Sequence, residues 1–356
     1  MRRQGWLGRA LFVFGIGMLS VLVASCEKRA EEPGLSLLEW NGFQHPQYYP
    51  EYLEEYGEPP NYTFFAHTND ALKRMRSGLK VDLVHLCTGQ MQEALDEGLI
   101  IPIDTERLPR WGDVSPELME LPDVQIEGEY WIVPWEWGYS TVGYNPELMD
   151  VENPSFDIFV DPRFKGMTAL PSDTEVNLWI AGVIGDWLDP LDPTEAEMEA
   201  APEVFRNMLS NARFIWTDST QLEQAWAGGD VGISYIYGSA SRRMVRDGLP
   251  VIVIEPLLTW MCGLSLSTSG PAPQDQAYDY INAMMDPASG VALFDDYGYG
   301  HVNANTVKLI DAERVVGTGI DNPAETFARG VYSKALPPAK KARLLQLWYE
   351  AQAGLN

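Results

Sequence analysis

Aromatic and acidic side chains are the chemistry this sequence holds in quantity: 12 Trp, 16 Tyr, 12 Phe, and 51 Asp plus Glu in 356 residues. Trp40, Trp135, Trp137, Tyr235, Tyr237, Trp260 and Tyr299 stand beside turns at the ends of apolar runs. Ring faces arranged around a gap receive an alkyl-ammonium group, each cation–π contact contributing on the order of 0.5–2 kcal/mol. A carboxylate such as Glu136 or Glu175 fixes one ammonium by a charge-assisted hydrogen bond. The same rings also fill cores and interfaces, so each taken singly reads first as packing.

Other chemistries lack starting material. There is no Gly-x-Gly-x-x-Gly after a strand, no phosphate-loop Gly-Lys-Ser/Thr, no His-Glu-x-x-His and no Gly-x-Ser-x-Gly. The four histidines, His45, His67, His85 and His301, are scattered, and none stands four residues from another. Zinc-site and catalytic-triad readings therefore have little to build on. The expectation is no catalytic residue, no metal and no cofactor.

The elements that must position the rings alternate. Leu35–Trp40, Tyr62–Ala66 and Val81–Leu86 read as strands, separated by helical stretches Pro46–Tyr56 and Thr68–Ser77 and followed by a helix at Gln90–Glu97. That order, with strands about 20 residues apart, predicts a parallel or mixed sheet covered by helices. In the middle, Tyr130–Pro134 and Ser140–Tyr144 read as two strands flanking Trp135-Glu136-Trp137-Gly138. Helices are expected at Asp173–Gly185, Glu195–Ser210 and Asp218–Ala227, then strands at Val231–Tyr237, Val251–Ile254 and Gly263–Leu266. Helices at Gln274–Met285, Ala288–Tyr297 and Ala339–Ala353 complete the pattern. Ligands of open α/β sheets sit at the carboxyl ends of such strands.

With 51 acids against 25 bases the formal charge is −26, which excludes a general nucleic-acid binder, because neutralising phosphates needs a basic face. The first 26 residues read as an address. Arg2, Arg3 and Arg9 precede an uncharged apolar stretch, Ala10–Ala24, too short for a comfortable span and suited to a signal-peptide core. Its end, Val23-Ala24-Ser25-Cys26, looks like the lipobox of bacterial lipoproteins, with Cys26 as the acylated residue; an ordinary signal peptide or short anchor helix with a chance cysteine is the alternative. Removing residues 1–26 takes away three arginines and no acid, leaving 22 bases and a charge of −29. Residues 27–33 read as a tether. The rest is expected to be soluble and extracytoplasmic, in the periplasm or on the outer face of the cell membrane.

The order of segments resembles the periplasmic polyamine-binding proteins of ABC importers, within the extracellular solute-binding proteins. The residues that carry it are Leu38-Glu39-Trp40-Asn41, Val81-Asp82-Leu83-Val84, Leu95-Asp96-Glu97-Gly98-Leu99-Ile100 and Ile103-Asp104. Val133-Pro134-Trp135-Glu136-Trp137-Gly138 with Val142-Gly143-Tyr144-Asn145 is the most specific. Pro162-Arg163-Phe164-Lys165-Gly166, Asp173-Thr174-Glu175-Val176, Ile281-Asn282, Asp286-Pro287 and Tyr297-Gly298-Tyr299 follow in the same order. The resemblance implies the two-lobed, type II periplasmic-binding-protein fold, an α/β architecture in which each lobe is a mixed sheet flanked by helices, joined by crossing hinge strands. It implies one lobe at 34–139 plus 263–310 and the other at 140–262 plus 311–356. It carries cleft-lining roles onto Trp40, Asn41, Thr88, Trp137, Glu175, Tyr235, Tyr237, Trp260, Cys262 and Tyr299. It also implies a monomer that hands a small amine to a permease in the inner membrane.

One departure bears on the ligand. Where the family has an Asp two positions after its Trp, this chain has Trp260-Met261-Cys262. A diamine held at both ends needs two anions, because a desolvated unpaired ammonium is costly. An amino acid, a betaine or another zwitterion therefore stands beside a polyamine as candidate ligand. By match, Cys87 and Cys262 lie at the rim of one lobe, as a disulfide, as paired soft ligands or as two separate buried thiols. A sensor or an enzyme on the same scaffold is the other class of function, with Cys87, Cys262 and His301 as the nearest catalytic assembly.

Overall fold

The computed structural model describes residues 33–65, 68–316 and 318–355. The segment expected to be a signal peptide, most of the expected tether, Cys26 and His67 lie outside them. Two strands organise the rest: β4, Val133–Tyr144, of 12 residues, and β8, Leu257–Ser267, of 11. Both are buried along nearly their whole length, as strands in the middle of a covered sheet must be. They pair antiparallel from Leu258↔Ser140 to Leu264↔Val133, with a register shift between Cys262 and Gly263.

On one side of this pair lie β1 (Ser36–Trp40), β2 (Asn61–Phe65) and β3 (Leu83–Cys87), mutually parallel, with β3 antiparallel to β8. On the other side lie β5 (Thr168–Pro171), β6 (Ala212–Trp216) and β7 (Ile233–Tyr237), again parallel among themselves, with β7 antiparallel to β4. The order across the sheet is β2-β1-β3-β8-β4-β7-β5-β6. Helices cover it, among them α1 (Thr174–Ile184), α2 (Glu195–Asn211), α3 (Gly238–Arg246), α4 (Pro287–Tyr297) and α5 (Pro338–Ala353).

Two hydrophobic cores result, and the crossing strands feed both. Val133, Trp135 and Trp137 of β4 and Leu264 and Leu266 of β8 belong to the first core, with Leu37, Tyr280 and Phe294. Val142 and Tyr144 of β4 and Leu258 of β8 belong to the second, with Trp179, Phe205 and Trp348. Each such large side chain fully buried contributes about 1.5–3 kcal/mol. Past residue 310 the chain still serves the first core through Val315 and Ile320, and it enters the second by Leu336. This is the two-lobed mixed α/β architecture that the resemblance implies.

The structure corrects several expected elements. Tyr130–Pro134 and Ser140–Tyr144 are not two strands: β4 runs unbroken through Trp135–Gly138, because β8 and the short strand Gly300–His301 continue the ladder on both edges. Pro46–Tyr56 is a 3-10 turn, Pro46–Tyr48, followed by a separate helix, Pro50–Tyr56, which begins where a proline suits the first helical position. The sequence reading has no strand at Ala212–Trp216; its side chains alternate in burial at the sheet edge, which masks the apolar run. No helix among the described residues is long and apolar enough to cross a membrane.

Candidate functional site

Rings gather where the crossing strands pass between the two cores. Trp260 on β8 lies beside Gly138 of β4, where a Cβ would stand 2.8 Å from the indole. Held flat there, Trp260 meets Tyr299 edge to face, with centroids 4.8 Å apart. Tyr297 stacks on Tyr299 at 5.6 Å. From the other core, Tyr237 at the end of β7 meets Tyr235 at 5.6 Å and Trp216 at 6.1 Å. Tyr235 is buried and donates its hydroxyl to Ser140 of β4 at 2.5 Å. The Tyr299 hydroxyl meets that of Ser239, at the start of α3, so the two sides touch.

Trp260, Tyr237 and Tyr299 keep part of their surface accessible, yet burial pushes the Tyr299 hydroxyl up to about 12 and raises that of Tyr237 as well. Accessible but desolvated groups are what the wall of a cleft presents. Asp173 shares this character. It caps α1 by accepting the Glu175 backbone N–H at 3.0 Å, and burial followed by the field of Glu175 raises its carboxyl. Its own charge in turn acts on Tyr235 and Tyr237. Asp173 is therefore a carboxylate whose field reaches Tyr235 and Tyr237. Glu175 turns instead to Lys341 of α5, at 2.5 Å.

The remaining residues taken from the resemblance make other contacts. Trp40 packs on Phe65 at 4.4 Å, and its indole N–H is buried with no partner among the described residues. Asn41 is exposed. Thr88 is buried and donates its backbone N–H to Met261 at 2.9 Å. Trp137 is 2% exposed, hydrogen-bonded to the His301 carbonyl at 3.3 Å and packed on Phe327 at 5.3 Å. It belongs to the first core.

A buried charge cluster lies behind the rings. His85 on β3 sits between Glu39 of β1 and Glu136 of β4. Nδ1 meets Glu39 Oε1 in a short hydrogen bond; Nε2 lies 3.0 Å from Glu136 Oε1, outside hydrogen-bond geometry, so that contact is one of charge. Burial by itself drives the proton off the imidazole, but Glu136 and Glu39 overturn it and hold the pKa up at about 10. Burial raises the Glu136 carboxyl, and the His85 charge opposes that rise. Glu136, a sequence candidate for holding a ligand, thus has an internal partner. Sequence reasoning missed this cluster, although its signal was present: one ionisable residue inside each of three apolar strand segments.

Cys262 is paired in register with Glu136 on one side and Cys87 on the other, and the two cysteines are joined in a disulfide. Of the three states open for them in sequence, the bond is the one formed. His301 has no part in it. Its Nε2 donates to the Met284 carbonyl at 2.9 Å, its Nδ1 accepts from the Asn303 backbone at 3.2 Å, and burial lowers its pKa to about 4. It is a neutral core histidine, and Cys87, Cys262 and His301, the nearest assembly the enzyme alternative had, do not set a base beside a nucleophile.

Arg242 on α3 was also missed. Its guanidinium lies 4.8 Å over the Phe294 ring of α4 and against Gly298, where a Cβ would stand 0.9 Å from Nη2. It forms no ion pair among the described residues, and burial lowers its pKa to about 10, opposed by Tyr139 and Tyr299. The arrangement offers flat ring faces, one carboxylate and one unpaired cation, and no nucleophile with a base.

Known proteins match along nearly the whole chain. The putrescine-binding periplasmic protein PotF of Escherichia coli (strain K12) is 23% identical over 376 residues, spanning 99% of this chain and 97% of that one. The solved structure of a putative spermidine/putrescine ABC transporter from Listeria monocytogenes superposes with a TM-score of 0.77 at 19% identity, over 90% of this chain and 99% of the other. The substrate-binding protein PotD of a spermidine/putrescine ABC transporter from Streptococcus pneumoniae gives 0.75 at 17%, over 90% and 98%. At these identities the structural likeness is one of fold. The family described as bacterial extracellular solute-binding protein matches residues 65–314. This chain belongs to that family.

Proposed function

We propose that this chain is a lipid-anchored receptor of an ABC importer that captures a small amine between its two cores and delivers it to a permease. The observation that carries the reading is a pair of ring contacts at the junction, Trp260 with Tyr299 and Tyr237 with Tyr235, with Tyr237 in the field of Asp173 and Tyr299. An ammonium on Asp173 gains a charge-assisted hydrogen bond of about 1.5–3 kcal/mol, and each ring face adds on the order of 0.5–2 kcal/mol. The buried His85 cluster carries two carboxylates against one imidazolium and adds a negative field behind Tyr299. A ligand touching both cores favours the closed state by its differential affinity, which is how such a receptor signals occupancy. The relatives named for putrescine and spermidine support an amine.

The test is calorimetric titration with putrescine, spermidine and simple monoamines. Asp173→Asn is expected to weaken amine binding at least tenfold, whereas Glu175→Gln changes it less than twofold, because Lys341 already occupies Glu175. Equal losses from both variants count against Asp173 as the anchor. Binding of none of these amines removes the amine and leaves the family assignment standing. Anchoring is tested separately: Cys26→Ala should move the protein from the membrane to the soluble fraction.

A second reading rests on Arg242. A guanidinium left unpaired in the wall suits a ligand carboxylate, so a zwitterion would have its amine on Asp173 and its acid on Arg242. Arg242→Gln should then weaken amino acids selectively and leave diamines unchanged.

A further inference from the structure

Three donors of different chemistry converge where β3, β4 and β8 run side by side. One atom each from His85, Glu136 and Cys262 can be chosen so that all lie within 4.8 Å of one another. All three residues are buried, and Cys87 is bonded to Cys262. Oε2 of Glu136 and Oε2 of Glu39 are buried with no hydrogen-bond partner among the described residues, so the cluster has unused acceptor capacity. Glu39 meanwhile holds the far side of the imidazole, at Nδ1, and leaves Nε2 toward Glu136.

We propose that reduction of the Cys87–Cys262 disulfide converts this cluster into a tetrahedral site for a thiophilic divalent cation such as zinc, held by both sulfurs, His85 Nε2 and one Glu136 oxygen. Zinc takes sulfur at about 2.3 Å and nitrogen or oxygen at about 2.0–2.2 Å, so its ligand atoms lie roughly 3.3–3.8 Å apart. The donors of His85, Glu136 and Cys262, within 4.8 Å of one another, need to close by only about 1 Å, and Cys87, bonded to Cys262, must turn in as the fourth once that bond is broken. Glu39 on Nδ1 completes the carboxylate–histidine–metal relay that orients imidazole ligands in metal sites. In the oxidised state the sulfurs carry no charge and are bonded to each other, so the site exists only after reduction.

The reductant is a dithiol. Cys87 is the more accessible partner, half-buried where Cys262 is 6% exposed, so the dithiol's thiolate attacks Cys87 Sγ. The protein S–S bond breaks, and Cys262 Sγ leaves with the electron pair beside the His85 cation. The reagent's second sulfur then attacks the mixed disulfide, releasing Cys87 and closing the reagent into its own disulfide. The two protons of the dithiol end on the two cysteines. Metal entry displaces them, together with the proton on Nε2. The site does not depend on the identity of the ligand proposed above.

The test uses cobalt(II) on the intact chain, before reduction and after reduction with a dithiol removed under anaerobic conditions. After reduction, one equivalent should bind with a sulfur-to-cobalt charge-transfer band and the visible bands of a tetrahedral ion, and one equivalent of zinc should displace it. Glu136→Gln should weaken binding at least about tenfold. The double variant Cys87→Ala/Cys262→Ala, its folding checked by circular dichroism, should show neither band. Binding that is the same before reduction, no charge-transfer band after it, or a band that survives in the double variant would each overturn the proposal.

Discussion

At the scale of single residues, His85 is the side chain with the largest electrostatic stake. Its pKa of about 10 in the folded chain lies above the ordinary histidine value near 6.5. The stabilisation it brings is therefore fully present below about pH 6.5 and is lost as pH rises through about 10. Urea unfolding should show stability falling by on the order of a few kcal/mol across that window. In His85→Gln the fall should flatten, and stability at pH 7 should drop by about 3–5 kcal/mol, because two buried carboxylates then face each other unpaired. Parallel pH profiles for the two proteins would contradict this assignment. In sequence, Glu39, His85 and Glu136 are 46 and more positions apart, and only the pairing of β1, β3, β8 and β4 brings them together. Asp173 was half legible: its position marks the start of a helix, but its field on Tyr235 and Tyr237 and the pairing of Glu175 with Lys341 of α5 depend on segments far away in sequence.

At the scale of elements, α3 and the end of α4 meet through one guanidinium and one glycine. Gly298 has φ +70 and caps α4, and Arg242 fills the space where any side chain would begin. Gly298→Ala therefore combines backbone strain of about 1 kcal/mol with a steric clash. The cost, read as a fall in melting temperature, should be smaller in an Arg242→Ala background, where only the backbone part remains; a coupling of about 1 kcal/mol is expected. Strictly additive losses would mean that Arg242 does not sit against this turn. Helices were the legible elements, with α1, α2 and α5 within a residue or two of expectation, since their periodicity and caps are local. Strands were less so: β4 read as two because Trp135–Gly138 shows its extended conformation only when β8 and Gly300–His301 bind its edges.

At the scale of the molecule, two cores are joined by two long strands with the ring cluster at the junction, and the proposed function makes opening and closing about those strands its motion. Ligand at 100 times its dissociation constant should add about 2.7 kcal/mol of stability, and small-angle scattering should show a smaller radius of gyration when bound. A bound state with unchanged radius would rule out closure as the mechanism. What the sequence by itself determined was the charge, the alternation of strands and helices and, through the order of its motifs, the two-lobed fold. These follow from composition and from patterns a few residues long. Tertiary structure alone decided that Cys87 and Cys262 are bonded, that Trp137 belongs to the core, that Glu136 serves His85, and that Glu175 pairs with Lys341. Each of those outcomes depends on which distant segment arrives as a neighbour, and local patterns do not encode distance across the fold.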